Sequence, residues 1–289
     1  MLSHHQLQSI QKSLTLKTLP AVSEKLIGGD INDVYLLDFD KNNKVVVKVN
    51  QKERFPEMLA KEKEALIYLN KHSPLNYAAP SFQFEDSQYQ YLGLNYVEKG
   101  SSSSKGQLKL GEGLAKQHQH TSNYFGWETD NYIGSLPQIN TKKDNWSDFY
   151  SVNRLLFQTK IAFDSKKINQ PFLTKMDRFC NYLDQLYPKE APSLLHGDLW
   201  GGNYFIDKNE NPFIYDPAVY YGHREIDIAM TQLFGGFDTT FISAYNKIYP
   251  LEKGWQERIK YGQLYPNLVH LNLFGVAYLH NIKSIIDYF

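Results

Sequence analysis

Leu194-Leu195-His196-Gly197-Asp198-Leu199-Trp200-Gly201-Gly202-Asn203-Tyr204-Phe205-Ile206, followed after a short gap by Asn211-Pro212-Phe213-Ile214-Tyr215-Asp216, decides how this chain is read. Apolar runs flank a loop of glycines and polar side chains. Residues 204–206 and 213–215 are strand-like, and the Asp, Asn and Pro between them are turn chemistry, so the segment predicts a β-hairpin. With Tyr204 paired to Tyr215, Asn203 and Asp216 face each other at the open end, their Cβ atoms roughly 4.5–5.5 Å apart. Two oxygen ligands then converge on one point. Mg²⁺ prefers oxygen and needs only one or two protein ligands where phosphates supply the rest, so an Asn and an Asp suffice beside ATP.

Asp198 precedes Asn203 by five residues, the spacing of the protein-kinase catalytic loop, where the Asp accepts the substrate hydroxyl proton and the Asn holds metal. A lone Asp-x4-Asn is ordinarily a capped turn. The preceding His-Gly, the hairpin and Asp216 together favour the catalytic reading. Such a site needs a lysine on the nucleotide and a carboxylate to hold it. Lys48, in Val45-Val46-Val47-Lys48-Val49, fits, although a strand lysine can equally face water. Glu62 lies four residues after Met58 and four before Leu66, on the apolar face of a predicted helix. A carboxylate there is costly unless paired, and Lys48 is its nearest logical partner. Glu64, the rival, has Ala60, Lys61 and Tyr68 as neighbours and reads as more exposed.

Working outward, residues 24–27, 33–37 and 44–49 read as an antiparallel meander with turns at Gly28-Gly29-Asp30 and Lys41-Asn42-Asn43. Pro56 opens a helix running to Asn70. Strands at 81–85 and 91–96 follow, then Lys99-Gly100-Ser101-Ser102-Ser103-Ser104, which reads as a flexible boundary or hinge. The rest is mainly helical. The expected class is α+β, a two-lobed protein-kinase-like fold, with an ATP-binding lobe of antiparallel sheet plus one helix over residues 1–97 and a larger, mainly helical lobe over 98–289. Gly28 and Gly29 would let backbone N–H groups approach nucleotide phosphates, though two glycines also make any tight turn. Neither a Walker A sequence nor a dinucleotide fingerprint occurs. His4-His5 and the pair His118 and His120 have no Cys or acidic partners at metal-site spacing and read as solvated or locally bonded.

Composition narrows the classes further. The 289 residues are 42% hydrophobic, enough for a sizeable core. Basic and acidic residues number 31 each, so no net field draws the chain to nucleic acid or an anionic membrane. The absence of a leader-like start or an apolar run of about 18 residues predicts a soluble, cytoplasmic protein. Cys180 is the sole cysteine and reads as a buried free thiol. The 21 tyrosines read as core residues with bonded hydroxyls, since basic residues do not cluster about them.

The stretch 194–203, with Asp216-Pro217-Ala218-Val219-Tyr220-Tyr221-Gly222-His223-Arg224-Glu225, resembles the fructosamine kinase (ketosamine 3-kinase) family more closely than aminoglycoside or choline kinases. The resemblance extends to Gly28-Gly29-Asp30-Ile31-Asn32, Phe125-Gly126-Trp127, Asp130-Asn131-Tyr132-Ile133-Gly134, Phe234-Gly235-Gly236-Phe237, 261–266 and 270–275, nearly the whole chain. It implies ATP-dependent phosphorylation of the 3-hydroxyl of a ketosamine, giving an unstable ester whose decay frees the amine. It also implies Asp198 as base, Asn203 and Asp216 as Mg²⁺ ligands, Lys48 as the phosphate-binding lysine with Glu62 as partner, and Asp227 and His196 as supports of the catalytic loop. Some relatives carry cysteine where Asp30 stands, which puts redox control through that loop in doubt here. The alternatives are a kinase for another small alcohol, such as an aminoglycoside or choline-like amine, and a non-catalytic ATP-binding module. Trp200, two residues past the proposed base, offers an apolar plate and one N–H donor suited to a sugar's C–H face or an attached amine.

Overall fold

Period-two alternation in one strand organises the first third of the chain. The computed structural model describes residues 2–26, 31–40 and 43–289, so Gly28, Gly29 and Asp30 lie outside the described residues. Helix α1 (His4–Ser13), closed by a capping box between Ser3 and Gln6, precedes β1 (Ala21–Lys25), β2 (Asp33–Asp40) and β3 (Asn43–Gln51). These three strands form the expected antiparallel meander. Val45, Val47 and Val49 of β3 point to one face, where they bury with Tyr35, Leu37 and Tyr91 beneath Leu2 and Ile10. Val46 and Lys48 therefore point to the other.

That other face is covered by α2 (Met58–His72), whose Leu59, Ala65, Leu66 and Leu69 are buried. The helix starts two residues after Pro56, because Glu57 takes a left-handed φ of 58° at the N-cap position. A two-residue strand, β4 (Asn76–Tyr77), leads to β5 (Pro80–Glu85) and β6 (Tyr89–Asn95). Among the described residues the sheet has the order β1-β2-β3-β6-β5, antiparallel throughout. β6 places Leu92 opposite Lys48, and Leu92 and Leu94 join the α2 core.

Beyond Asn95 the chain is mainly helical. Lys99 bridges to Asp207 and the Gly100 N–H donates to the Ile206 carbonyl, so the serine-rich stretch is tied down rather than slack. Ser103 then caps α3 (Ser104–His118) by accepting from the Gly106 N–H. A small hairpin, β7 (Asn131–Ile133) and β8 (Leu136–Gln138), is followed by α4 (Trp146–Tyr150), which passes through a π-helical segment, Ser151–Leu156, into α5 (Phe157–Asp164). Next come α6 (Gln170–Cys180), α7 (Leu183–Leu186), β9 (Ser193–Leu195), β10 (Tyr204–Ile206), β11 (Pro212–Ile214) and β12 (Tyr220–Gly222). Helices α8 (Glu225–Thr231), α9 (Thr239–Ile248), α10 (Trp255–Gly262), α11 (Leu264–Phe274) and α12 (Leu279–Ile286) complete the chain.

β9 pairs with β12, so the ends of the segment 196–219, which carries the loop that begins at His196 and the hairpin after it, are held together. β11 pairs with β10 on one side and, in parallel, with β4 on the other. A piece of the first 97 residues is thus woven into the hairpin. Cys180 is partly buried against the helical core, and burial pushes its thiol up to about 12. Among the described residues no helix is long and apolar enough to cross a membrane.

Candidate active site

The hairpin forms, but one residue out of the expected register. Tyr204 stands opposite Ile214, not Tyr215. The turn closes over 207–211, with the Asp207 carboxylate accepting from the Asn209 and Asn211 N–H groups and Glu210 in a left-handed φ of 59°. Pro212 is thereby drawn into the strand opposite Ile206. Tyr215 faces Asn203, donating its N–H to the Asn203 carbonyl at 3.0 Å, and Asp216 falls one position beyond. Asp216 has a left-handed φ of 57°, uncommon for a residue other than glycine. The turn at Asp216 brings its carboxylate to Lys48, which it contacts closely.

Lys48 is 5% exposed and also holds Glu62 at 2.6 Å. Burial alone would lower the lysine's pKa, but the Asp216 and Glu62 carboxylates outweigh it and hold the ammonium charged. Glu64 is exposed, as its helical neighbours imply.

Asp198 lies across the cleft on the 196–203 loop. The Asn203 side-chain amide donates to its carbonyl at 2.8 Å and to its Oδ2 at 3.1 Å. Burial, reinforced by the negative charge of Asp216, pushes the Asp198 carboxyl up to about 7, and the Asn203 bond only partly offsets this. With its nitrogen turned to Asp198, Asn203 leaves its side-chain oxygen as the atom for a cation. Asn203 and Asp216 each offer a hard oxygen, the donor type that fits Mg²⁺ with phosphates completing the shell. Among the described residues no cluster of three or more His, Cys, Asp or Glu could hold a metal by itself.

The loop is braced from below. Asp227, fully buried on α8, accepts the His196 N–H at 2.8 Å and the Gly197 N–H at 2.9 Å. Burial would raise the Asp227 carboxyl, but these bonds and that from His118 hold it low, so it stays ionised. Gly197 has φ 84°, and a Cβ there would meet the Ala218 carbonyl at 2.1 Å, so no other residue fits without moving the loop. His196 is neutral because burial lowers its pKa, with Nδ1 accepting the Asp198 N–H and Nε2 donating to the Tyr215 carbonyl. It thereby links the two halves of the site.

His118 is a residue the sequence reading misplaced. It is fully buried, not solvated or locally bonded: Nε2 lies 3.2 Å from Asp227 Oδ2 and Nδ1 2.8 Å from the Tyr245 hydroxyl. The signal was available, since Leu110, Leu114 and His118 fall four apart on α3 and share its buried face. His4 and His5 are exposed. Trp200 is 36% exposed, its indole lying over Gly202 and edge-on to Phe234 at 5.7 Å. A small cavity beside Asp198 is lined by Ile133, Met230, Tyr265 and His270, among others.

The sequence model of the fructosamine kinase family matches residues 2–289. A protein of Enterococcus faecium named a probable ketoamine kinase is 37% identical, over 98% of this chain and 99% of its own length. The chloroplastic protein-ribulosamine 3-kinase of Arabidopsis thaliana is 41% identical over 68% of this chain and 61% of its own. The crystal structure of a candidate fructosamine-3-kinase from Haemophilus somnus superposes with a TM-score of 0.86 at 28% identity, covering 98% of this chain and 95% of that one. The chain is an ATP-dependent kinase with a protein-kinase-like fold, and it belongs to the fructosamine kinase family.

Proposed function

We propose that the protein transfers the γ-phosphoryl group of ATP to the 3-hydroxyl of a ketosamine, a fructosamine or ribulosamine adduct, and so starts the release of the glycated amine. The observation that carries this reading is Asp198: a carboxyl held near neutrality, opening on a small cavity, in a chain whose relatives are named for ketoamine and ribulosamine substrates. Asp198 takes the hydroxyl proton as the new O–P bond forms, while the bond from the γ-phosphorus to the bridging oxygen breaks and leaves ADP. Lys48, held by Glu62, binds phosphate oxygens. Asn203 and Asp216 would hold Mg²⁺, which would neutralise phosphate charge.

Asp227, His196 and His118 act at one remove, keeping Asp198 in place through the loop backbone. Trp200 sets its plate against the acceptor. The nucleotide lobe is residues 1–97 and the acceptor lobe 98–289, working in the cytoplasm where ATP is abundant. ATP consumption measured on a panel of ribulosamines, fructosamines, aminoglycosides and choline tests the reading. Turnover confined to the ketosamines is expected; turnover confined to either of the other two classes overturns it, and none at all would favour a silent ATP-binding module.

A further inference from the structure

Several large aromatic side chains remain at the surface near the base. Trp200, Phe234 and Phe274 are 36%, 42% and 52% exposed. They are not scattered. The Phe234 ring lies 5.7 Å from Trp200 and 4.9 Å from His270, and His270 in turn lies 5.3 Å from Phe274 and 5.0 Å from Tyr278. His270 also lines the cavity into which Asp198 opens. A run of ring contacts therefore leads from the base to the surface.

The run is fixed to the catalytic loop. A Cβ on Gly201 would meet the Gly235 carbonyl at 2.7 Å and one on Gly236 would meet the Gly201 Cα at 2.7 Å, so the turn after Phe234 is seated against the loop of Asp198. His270 and Phe274 stand one turn apart on α11, and the His270 ring bonds the Pro266 carbonyl, which sets its orientation. Contiguous exposed apolar side chains rimmed by polar ones mark, in soluble proteins, places where something docks. Continuity with the acceptor cavity says what docks here.

We propose that the amine-bearing half of the acceptor lies across this shelf of Trp200, Phe234, His270, Phe274 and Tyr278, so that adducts whose amine carries an apolar or aromatic group are selected over adducts whose amine carries a carboxylate. The proposal rests on the ketosamine reading. In such an adduct two carbons separate the nitrogen from the carbon bearing the accepting hydroxyl. With that hydroxyl at Asp198, the nitrogen's substituent leaves the small cavity over its rim, of which His270 is part. Ring faces carry negative potential, which attracts the adduct's ammonium and opposes a carboxylate placed on them. His270 adds no opposing charge, because burial lowers its pKa and keeps the ring neutral.

The test uses two adducts of one ketose, with benzylamine and with glycine, on the full-length enzyme with ATP and Mg²⁺. The wild type is expected to show kcat/KM at least about tenfold higher for the benzylamine adduct, the scale of discrimination by an apolar subsite. Phe274→Ala and Phe234→Ala should each cut that ratio several-fold. The ratio does not depend on how much enzyme is folded, so partial misfolding cannot imitate the result. A wild-type ratio near one, or a ratio kept in both variants, overturns the shelf while leaving the ketosamine reading standing. No turnover of either adduct overturns both.

Discussion

Asp198→Asn should stabilise the protein while disabling it. The wild-type carboxyl is lifted from 3.8 to about 7 by burial and by the charge of Asp216, so above neutrality an ionised group is held where ionisation is opposed. The sign follows from proton counting: between those two values the folded state binds more protons than the unfolded one, so folding stability falls as pH rises. The cost is absent below the unfolded value and complete above the folded one. At about 1.4 kcal/mol per pH unit the ceiling is about 4 kcal/mol. Asp198 is partly accessible and is bonded by Asn203, which reduces the figure, and we expect a gain of roughly 1–2 kcal/mol, or about 2–6 °C in Tm. Asparagine keeps an oxygen for the Asn203 amide, so no bond is forfeited. The assay is thermal unfolding of both proteins without nucleotide, at about pH 5 and about pH 8, with turnover measured alongside. Turnover should fall on the order of 10²–10⁴-fold. A Tm difference no larger at the higher pH, or an Asn variant less stable there, would refute the account of Asp198 as a strained carboxylate.

Wild-type kcat/KM should rise with pH and reach half its limit near the Asp198 value of about 7; a profile flat through neutrality would remove Asp198 as base. Lys48→Ala and Glu62→Ala should each destabilise the fold, and the double variant should lose less than the two together by about 1–3 kcal/mol in urea unfolding; additive losses would mean the 2.6 Å contact carries no coupling. Asp216→Ala should weaken Mg-ATP binding in calorimetry by at least about tenfold, and unchanged binding would exclude this carboxylate as a ligand. His118→Phe removes one of the Asp227 bonds without opening a cavity, so it should cost about 2–3 kcal/mol in chemical denaturation; a loss under about 0.5 kcal/mol would show that the 3.2 Å contact is idle.

What was legible in the chain was what local chemistry decides. Glycine and Asn placement points to the loop of Asp198, and helical spacing puts Glu62 on a buried face with Lys48 as its logical partner; the fold brings Lys48 and Glu62 together. What escaped depends on side-chain bonds that strand composition does not show, or on partners distant in sequence. The hairpin register was off by one because a side-chain-closed turn at Asp207, not the strand composition, sets it. Helix α1 finds its place only once Val45, Val47 and Val49 present a surface to Ile10. His118 needs Asp227, 109 positions away, before its burial makes sense.

The two-residue parallel strand β4 gives the molecule a mechanical property. Its register joins Asn76 to Phe213 and Tyr77 to Ile214, and the Ala78 N–H donates to the Ile214 carbonyl at 2.8 Å. Ile214 is two residues from Asp216, so the backbone of β4 is coupled to the strand that leads to the proposed metal ligand. A swing of the sheet bearing Lys48 must therefore either carry that ligand with it or unfasten a short backbone clasp, and a clasp this short opens at low free energy. Amide exchange at Ala78 should accordingly keep time with the opening of the cleft.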